Sequence, residues 1–238
     1  MKAIVLAAGV GRRIMRYTKD PKCLLKIKDK RLIERYLETL LEEGIKEIDL
    51  VVGYRKEKVI SFVDSLNLEA RVIFVENPDF SKGSITSLWR AKDRVKGEVL
   101  LMDADVYFEP EVLKRLVGSP KKNLLLVDPL SKSEGEEWMV GVKDGRIVKT
   151  GRAIKGEFDM FGEWIGFMKM NGQASTILIS LTEKEIKDGN ITIGYEDLLS
   201  SLFKEVDFEV ESIAGLKWIE IDFPEDVLKA EKEYDDIN

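Results

Sequence analysis

Histidine is absent from the sequence, and with it go the commonest general acid–base group and the commonest metal ligand. Ser-His-Asp and Cys-His nucleophile systems and histidine-ligated zinc hydrolase sites are therefore excluded. Any metal chemistry must rest on carboxylates, which favour hard cations such as Mg²⁺. The single cysteine, Cys23, rules out an internal disulfide framework and fits a reducing compartment, so a cytoplasmic location is expected. No apolar run approaches the roughly 18–20 residues that span a bilayer, so membrane insertion is not expected. A net charge of −6 lacks the broad basic footprint of a nucleic-acid binder, and no nucleic-acid partner is expected. The opening MKAIVLAAG carries one lysine and a short apolar run, then glycine and arginines with no cleavage-site pattern. It reads as a first buried strand rather than a signal peptide.

What is present is a globular composition, 44% hydrophobic and 34% charged over 238 residues, enough to bury the core of one α/β domain. Strand-like runs at 2–8, 47–53, 70–77 and 98–104 alternate with helix-like periodicity at 31–44, 56–66 and 84–95. Continuous apolar strands joined by short, mostly helical crossovers predict a mostly parallel sheet with helices on both faces. After about residue 120 the rhythm becomes strand-rich: LLLVD, WMVGVKDGRIVKTG and FGEWIGFMKM, with Lys143-Asp144-Gly145-Arg146 as a hairpin turn. Helices at 171–186 and 195–206, a strand in LKWIEIDF and an acidic C-terminal helix complete the pattern. No repeat, low-complexity tract or long linker interrupts it, so 1–238 is read as one domain with halves 1–120 and 121–238.

The stretch LAAGVGRRIMRYTKDPKCLLKI reverses the protein's sign locally: seven lysines and arginines against one acid, Asp20, between Gly11 and Lys28. Gly9 and Gly11 follow the first strand directly, so the chain turns at the C-terminal edge of a parallel sheet, where such sheets bind ligands. Glycines there let main-chain N–H groups approach an anion. The spacing lacks the third glycine of a dinucleotide fingerprint and is not a P-loop. By itself it is equally a tight turn with solvated basic residues. Arg13 and the extended Pro21-Lys22 supply two cations aimed at one nest, which suits a triphosphate.

Carboxylates cluster at strand ends. MDAD ends the fourth strand, and residues two apart on a strand share a face, which groups Asp103 with Asp105. In IEID, Glu220 and Asp222 share one side while Ile219 and Ile221 share the other. Two such strand ends in a chain without histidine are what a Mg²⁺ site requires, although aspartates there also serve as turn and cap residues. Trp138 and Trp164 lie in strands of the second half with Glu163 adjacent. Aromatic faces beside a carboxylate suit a quaternary ammonium group; the same aromatics could simply pack that half.

Taken together, LAAGVGRRIMRYTKDPKCLLKI resembles the L-A-A-G-x-G-x-R…P-K signature of the nucleotidyltransferases that join a nucleoside triphosphate to a phosphorylated sugar or alcohol. NPDFSKGSITSLWRAKD, GEWIGFMKM and WIEIDFPEDVLKAE are similar to one branch, the phosphocholine cytidylyltransferase-like proteins, related to inositol-1-phosphate and 2-aminoethylphosphonate cytidylyltransferases. The resemblance implies a three-layer α/β/α, Rossmann-like, GT-A-like fold with a mostly parallel central sheet. Its nucleotide-binding half is 1–120, and a smaller acceptor-side β/α lobe occupies 121–238. It implies a Mg²⁺-dependent enzyme that moves CMP from CTP to phosphocholine, or next to inositol-1-phosphate or 2-aminoethylphosphonate, as a monomer or homodimer. Arg13 and Lys22 are implied as catalytic residues, and Asp105 and Asp222 as metal ligands with Glu220 close and Asp103 secondary. Leu6, Ala7, Ala8, Gly9, Gly11, Arg13, Lys22, Gly83, Ser84, Ser87 and Asp103 are implied at the nucleotide, and Trp138, Glu163, Trp164 and Tyr195 at the acceptor. Ser84 and Ser87 are equally expected as helix N-terminal caps, and the branch usually has asparagines where this chain has Gly83-Ser84-Ile85. The alternatives are a sugar-1-phosphate nucleotidyltransferase using UTP, GTP or dTTP, and a catalytically silent nucleotide-binding homologue. The presence of Arg13, Lys22, Asp105 and Asp222 weighs against the silent reading.

Overall fold

Apolar runs without polar interruption bury on both faces of a sheet, and they form the centre of the structure, a computed structural model describing residues 1–132 and 135–233. In chain order the strands are β1 (Lys2–Ala7), β2 (Lys26–Ile27), β3 (Lys30–Arg31), β4 (Glu47–Val52), β5 (Arg71–Glu76), β6 (Val99–Asp103), β7 (Val106–Phe108), β8 (Leu124–Asp128), β9 (Met139–Lys143), β10 (Arg146–Gly151), β11 (Met160–Met170), β12 (Glu209–Ser212) and β13 (Trp218–Glu220). The helices are α1 (Leu32–Glu42), α2 (Lys56–Ser65), α3 (Ile85–Arg90), α4 (Pro110–Gly118), α5 (Gly172–Lys187), α6 (Leu199–Glu205) and α7 (Pro224–Glu233). None of the described helices is long and apolar enough to cross a membrane.

The main sheet runs β5-β4-β1-β6-β11-β9-β10, with β8 paired to β11 and β12 to β8. Its first four strands are parallel, as expected. The second half joins the same sheet through β11, which is antiparallel to β6, β8 and β9. Register slips between Trp164 and Met168, and Gly166 takes a φ of +80° there. This bulge bends β11 so that its N-terminal part serves β9 and its C-terminal part serves β6. Two apolar clusters cover the faces. One gathers Leu37, Leu40, Val59 and Leu113 from α1, α2 and α4. The other gathers Leu88, Leu178, Leu199 and Leu202 from α3, α5 and α6. The result is the expected α/β/α layering.

Several boundaries differ from expectation. The helix expected over 84–95 stops at Arg90, because Lys92 and Arg94 N–H groups donate to Trp89 and Ala91 carbonyls three residues back, tightening the chain into turns. The helix expected over 195–206 is a 3₁₀ turn at Tyr195–Leu198 followed by α6. LKWIEIDF pairs only through Trp218–Glu220, since its partner β7 is itself three residues long. Helix α4 has no counterpart in the sequence reading, although Pro110 at its first position is a recognised start.

The two halves are fastened at Gly83. Its N–H donates to the Ile191 carbonyl at 2.9 Å, and a Cβ at this position would fall 1.9 Å from the Ile193 oxygen. Only glycine admits that approach. Gly83→Ala is therefore expected to lower stability by about 3 kcal/mol, read as a lower midpoint in denaturant. Gly118→Ala, where a Cβ meets nothing within 4 Å, is expected to stay within about 0.5 kcal/mol of wild type.

Candidate active site

The site is assembled where β6 breaks. After Asp103 the chain leaves the sheet, passes Ala104 and Asp105, and continues as β7, which pairs antiparallel with β13 in a separate two-stranded ribbon. Glu220 lies opposite Val106, and the Ile221 N–H donates to the Asp105 carbonyl at 2.9 Å. This small ribbon brings Asp105, Glu220 and Asp222 together, with carboxylate oxygens within 4.8 Å of one another. Asp226, at the start of α7, accepts from the N–H groups of Asp222 and Phe223 at 2.9 and 2.7 Å and so fixes the main chain of Asp222.

Lys22 enters this cluster from the signature loop. Its ammonium lies 2.8 Å from Asp105 Oδ2 and 2.7 Å from Asp222 Oδ1. Arg13 Nη1 lies 3.0 Å from Asp222 Oδ2 and 2.7 Å from Glu136 Oε2. Burial works against the Lys22 charge, but Asp105, Asp222 and Glu220 outweigh it and hold the ammonium above its ordinary range. Burial likewise opposes the Asp222 charge, yet Lys22 and Arg13 keep that carboxyl below the usual range. Glu220 has less relief: burial, then Asp105 and Asp222, push it up to about 8 against the opposing pull of Lys22. Three carboxylates converging without nitrogen or sulfur donors form an oxygen-only set that fits a hard divalent cation.

Asp103, grouped with Asp105 by strand periodicity, takes a separate position. Its Oδ2 accepts the Tyr195 hydroxyl at 2.8 Å, and Gly166 leaves room for it, since a Cβ there would meet Oδ2 at 2.7 Å. Burial, with Asp105 and Glu196 nearby, holds the Asp103 carboxyl well above the usual range. Leu6 is its register partner on β1. Ala7 and Ala8 are buried, so their contribution to any ligand is through the main chain, and the Ala8 carbonyl already accepts from Tyr54 N–H at 3.0 Å. Gly9 is open, while Gly11 adopts a left-handed φ of 60° before the short turn Arg12–Ile14. The serines do not cap α3: Ser84 Oγ donates to Glu196 Oε2 at 3.1 Å and accepts Tyr195 N–H at 2.9 Å, and Ser87 Oγ accepts the buried Asn77 amide at 2.9 Å.

An open cleft of about 860 Å³ runs from Arg13 and this cluster into the second half, where Trp138, Glu163 and Trp164 line it. Tyr195 does not; it is 1% exposed, packs edge-on against Trp164 at 6.0 Å, and spends its hydroxyl on Asp103. Trp138 donates to Thr150 and Trp164 to the Phe167 carbonyl, so both indoles keep their polar edges satisfied within the protein. Sequence reasoning missed Asp128 and gave Trp218 no role, yet both line the cleft and Trp218 Nε1 donates to Asp128 Oδ2 at 2.8 Å. Trp218 sits two residues before Glu220, and LLLVD ends in an acid as MDAD does; those were the available signals.

Residues 3–140 match the family of MobA-like NTP transferase domains, and the chain belongs to that family. It is 31% identical over 234 residues to the bifunctional IPC transferase and DIPP synthase of Aquifex aeolicus, covering 97% of this chain and 51% of that protein. The chain thus spans about half the length of that relative. It is 27% identical over 242 residues to the choline-phosphate cytidylyltransferase of Streptococcus pneumoniae, covering 98% and 97%. In fold it is similar to the inositol-1-phosphate CTP transferase from T. maritima, with a TM-score of 0.78, 24% identity and coverage of 94% and 90%. The superfamily resemblance and the α/β/α expectation are both borne out.

The wall of the cleft around Glu163 carries a pH signature. Burial, then Glu137 and Asp128, push Glu163 up to about 7. A carboxyl raised in the fold favours the protonated state, so the native protein loses stability as pH climbs from about 4.5 through 7. Glu163→Gln removes that loss. Its thermal midpoint should match wild type near pH 4.5 and exceed it at pH 8, by the equivalent of about 2 kcal/mol.

Proposed function

We propose that this chain is a Mg²⁺-dependent cytidylyltransferase that transfers CMP from CTP to a small phospho-alcohol or phosphonate and releases pyrophosphate. Phosphocholine is the first candidate acceptor, and inositol-1-phosphate and 2-aminoethylphosphonate follow. The observation that carries the reading is the convergence of Lys22 and Arg13 on Asp105 and Asp222 at the edge where the glycine loop leaves β1. That edge is where parallel sheets bind nucleotides. Relatives named for choline-phosphate and for 2-aminoethylphosphonate cytidylyl transfer support the same chemistry, at 27% and 26% identity.

An acceptor phosphate oxygen attacks the α-phosphorus of CTP; the new O–P bond forms as the bond to the β-phosphate oxygen breaks, and pyrophosphate leaves with that electron pair. The nucleophile is already an anion, so no general base is needed and a chain without histidine suffices. A Mg²⁺ held by Asp105 and Asp222, with Glu220 close, would offset the repulsion between the incoming oxygen and the α-phosphate. Arg13 neutralises the triphosphate, and Lys22 serves the α- and acceptor phosphates. Leu6, Ala7, Ala8, Gly9 and Gly11 present main chain to the nucleotide. Asp103 and the Gly83–Ser87 segment border it.

At the far end, Trp138, Trp164 and Trp218 line the cleft together with Asp128, Glu137, Glu163 and Glu196, which outnumber the cations Lys132 and Arg152 there. Aromatic faces with surplus negative charge favour a cationic head over a neutral polyol, which places phosphocholine first.

Pyrophosphate release with Mg²⁺ tests the reading, crossing CTP, UTP, GTP and dTTP with phosphocholine, inositol-1-phosphate, 2-aminoethylphosphonate and glucose-1-phosphate. The expected result is turnover with CTP alone and fastest with phosphocholine. Turnover with UTP, GTP or dTTP and the sugar phosphate would replace it with a sugar-phosphate nucleotidyltransferase. Asp105→Ala is expected to lower kcat/KM by about 10²-fold or more while the protein keeps its cooperative melt.

A further inference from the structure

Lys22 stands where a metal ion would have to go. Its ammonium lies 2.8 Å from Asp105 and 2.7 Å from Asp222, the two side chains proposed above as principal metal ligands. A divalent cation bonded to both oxygens at about 2.0–2.1 Å would press directly on that ammonium, and two cations in one gap repel strongly at a half-buried site. The gap holds one of them at a time.

The main chain that carries Lys22 is fixed. Pro21 precedes it, Cys23 and Leu24 are 2% and 4% exposed, and Leu24 and Leu25 N–H groups bond back to the Pro21 and Lys22 carbonyls at 2.8 and 3.0 Å. Only the side chain is free to leave. Its stem runs beside the glycine loop, where a Cβ built on Gly11 would sit 3.3 Å from Lys22 Cβ and 3.9 Å from Cδ. Rotation about the terminal bonds of a four-carbon stem therefore carries the ammonium from the carboxylates toward the main chain of that loop. A nucleotide triphosphate bound there offers it a second anion.

We propose that Lys22 is the resident counter-ion of the Asp105–Asp222 gap and that it yields the gap to a divalent cation only when nucleotide phosphates receive its charge. Metal binding is thereby conditional on nucleotide, and the metal enters with the nucleotide or after it. The competition between Lys22 and the metal rests on three side chains; only the identity of the nucleotide rests on the cytidylyl-transfer reading.

Mn²⁺ titration of the metal-free chain, followed by the electron paramagnetic resonance of free Mn²⁺, tests this. Without nucleotide, Lys22→Met should bind Mn²⁺ about tenfold or more tightly than wild type, since one buried competing charge is gone. Lys22→Arg keeps the charge and should stay as weak as wild type. Adding Asp222→Asn to Lys22→Met should abolish the gain, tying it to this gap. Lys22→Gln is read alongside and suffices if the methionine variant does not fold. Binding by the neutral variants equal to or weaker than wild type would overturn the proposal, as would a gain that survives Asp222→Asn. With CTP, after correction for Mn²⁺ held by nucleotide alone, wild type should gain affinity and Lys22→Met should gain less; equal gains would also overturn it. If UTP or GTP produces the wild-type gain and CTP does not, conditional entry stands and the cytidine assignment falls.

Discussion

Mutual repulsion among Asp105, Glu220 and Asp222, packed with their oxygens within 4.8 Å, is the constraint around which the rest of the site is arranged. Carboxylates so close require a cation, and in this structure Lys22 supplies it with a second contribution from Arg13. The difference between the neighbours shows the effect: Asp222, which faces both cations, stays below the ordinary carboxyl range, whereas Glu220, served less by them, rises to about 8. Charge of this density is costly to bury unless it is paired, and such clusters concentrate at functional sites. The same groups are those the proposed nucleotidyl transfer would use.

The topology explains how residues so distant in sequence meet. The parallel strands β6, β1, β4 and β5 bring the glycine loop and Asp103 to one sheet edge. The β7–β13 ribbon sits just beyond that edge and carries Asp105 on one strand and the Glu220–Asp222 turn on the other. Strand β11, bent at Gly166, attaches the far wall of the cleft to the same sheet, so the cleft is lined by one continuous framework. Tyr195 belongs to this framework. Its main chain is fastened by Ser84 and its hydroxyl orients Asp103, so it supports the cleft from behind its wall.

Much of this was legible beforehand for a simple reason: continuous apolar runs announce buried parallel strands, and a glycine turn after the first of them announces a ligand edge. Lys22, Asp105 and Asp222 could be singled out because the family resemblance is carried by the compact motifs in which they sit. What escaped was set by long-range contact. The period-two argument put Asp103 and Asp105 in one cleft, which both line, but not their partners: the strand ends at Asp103, and one carboxylate bonds Tyr195 while the other bonds Lys22. Asp128 and Trp218 meet across 90 residues of sequence, a partnership no local pattern encodes. The serines at 84 and 87, ambiguous between cap and site, are drawn to Glu196 and Asn77 by tertiary packing and cap nothing.

In the proposed reaction Asp105 and Asp222 hold a divalent cation beside a nucleotide triphosphate, with Lys22 displaced onto the phosphates. A crystal structure with Mn²⁺ and a non-hydrolysable CTP analogue, with Mn²⁺ located by anomalous scattering, tests it most directly. The expected result is an Mn²⁺ peak about 2.1–2.2 Å from oxygens of both aspartates and the Lys22 ammonium on a phosphate. Mn²⁺ bound to phosphates alone, with Lys22 still bridging Asp105 and Asp222, would contradict it.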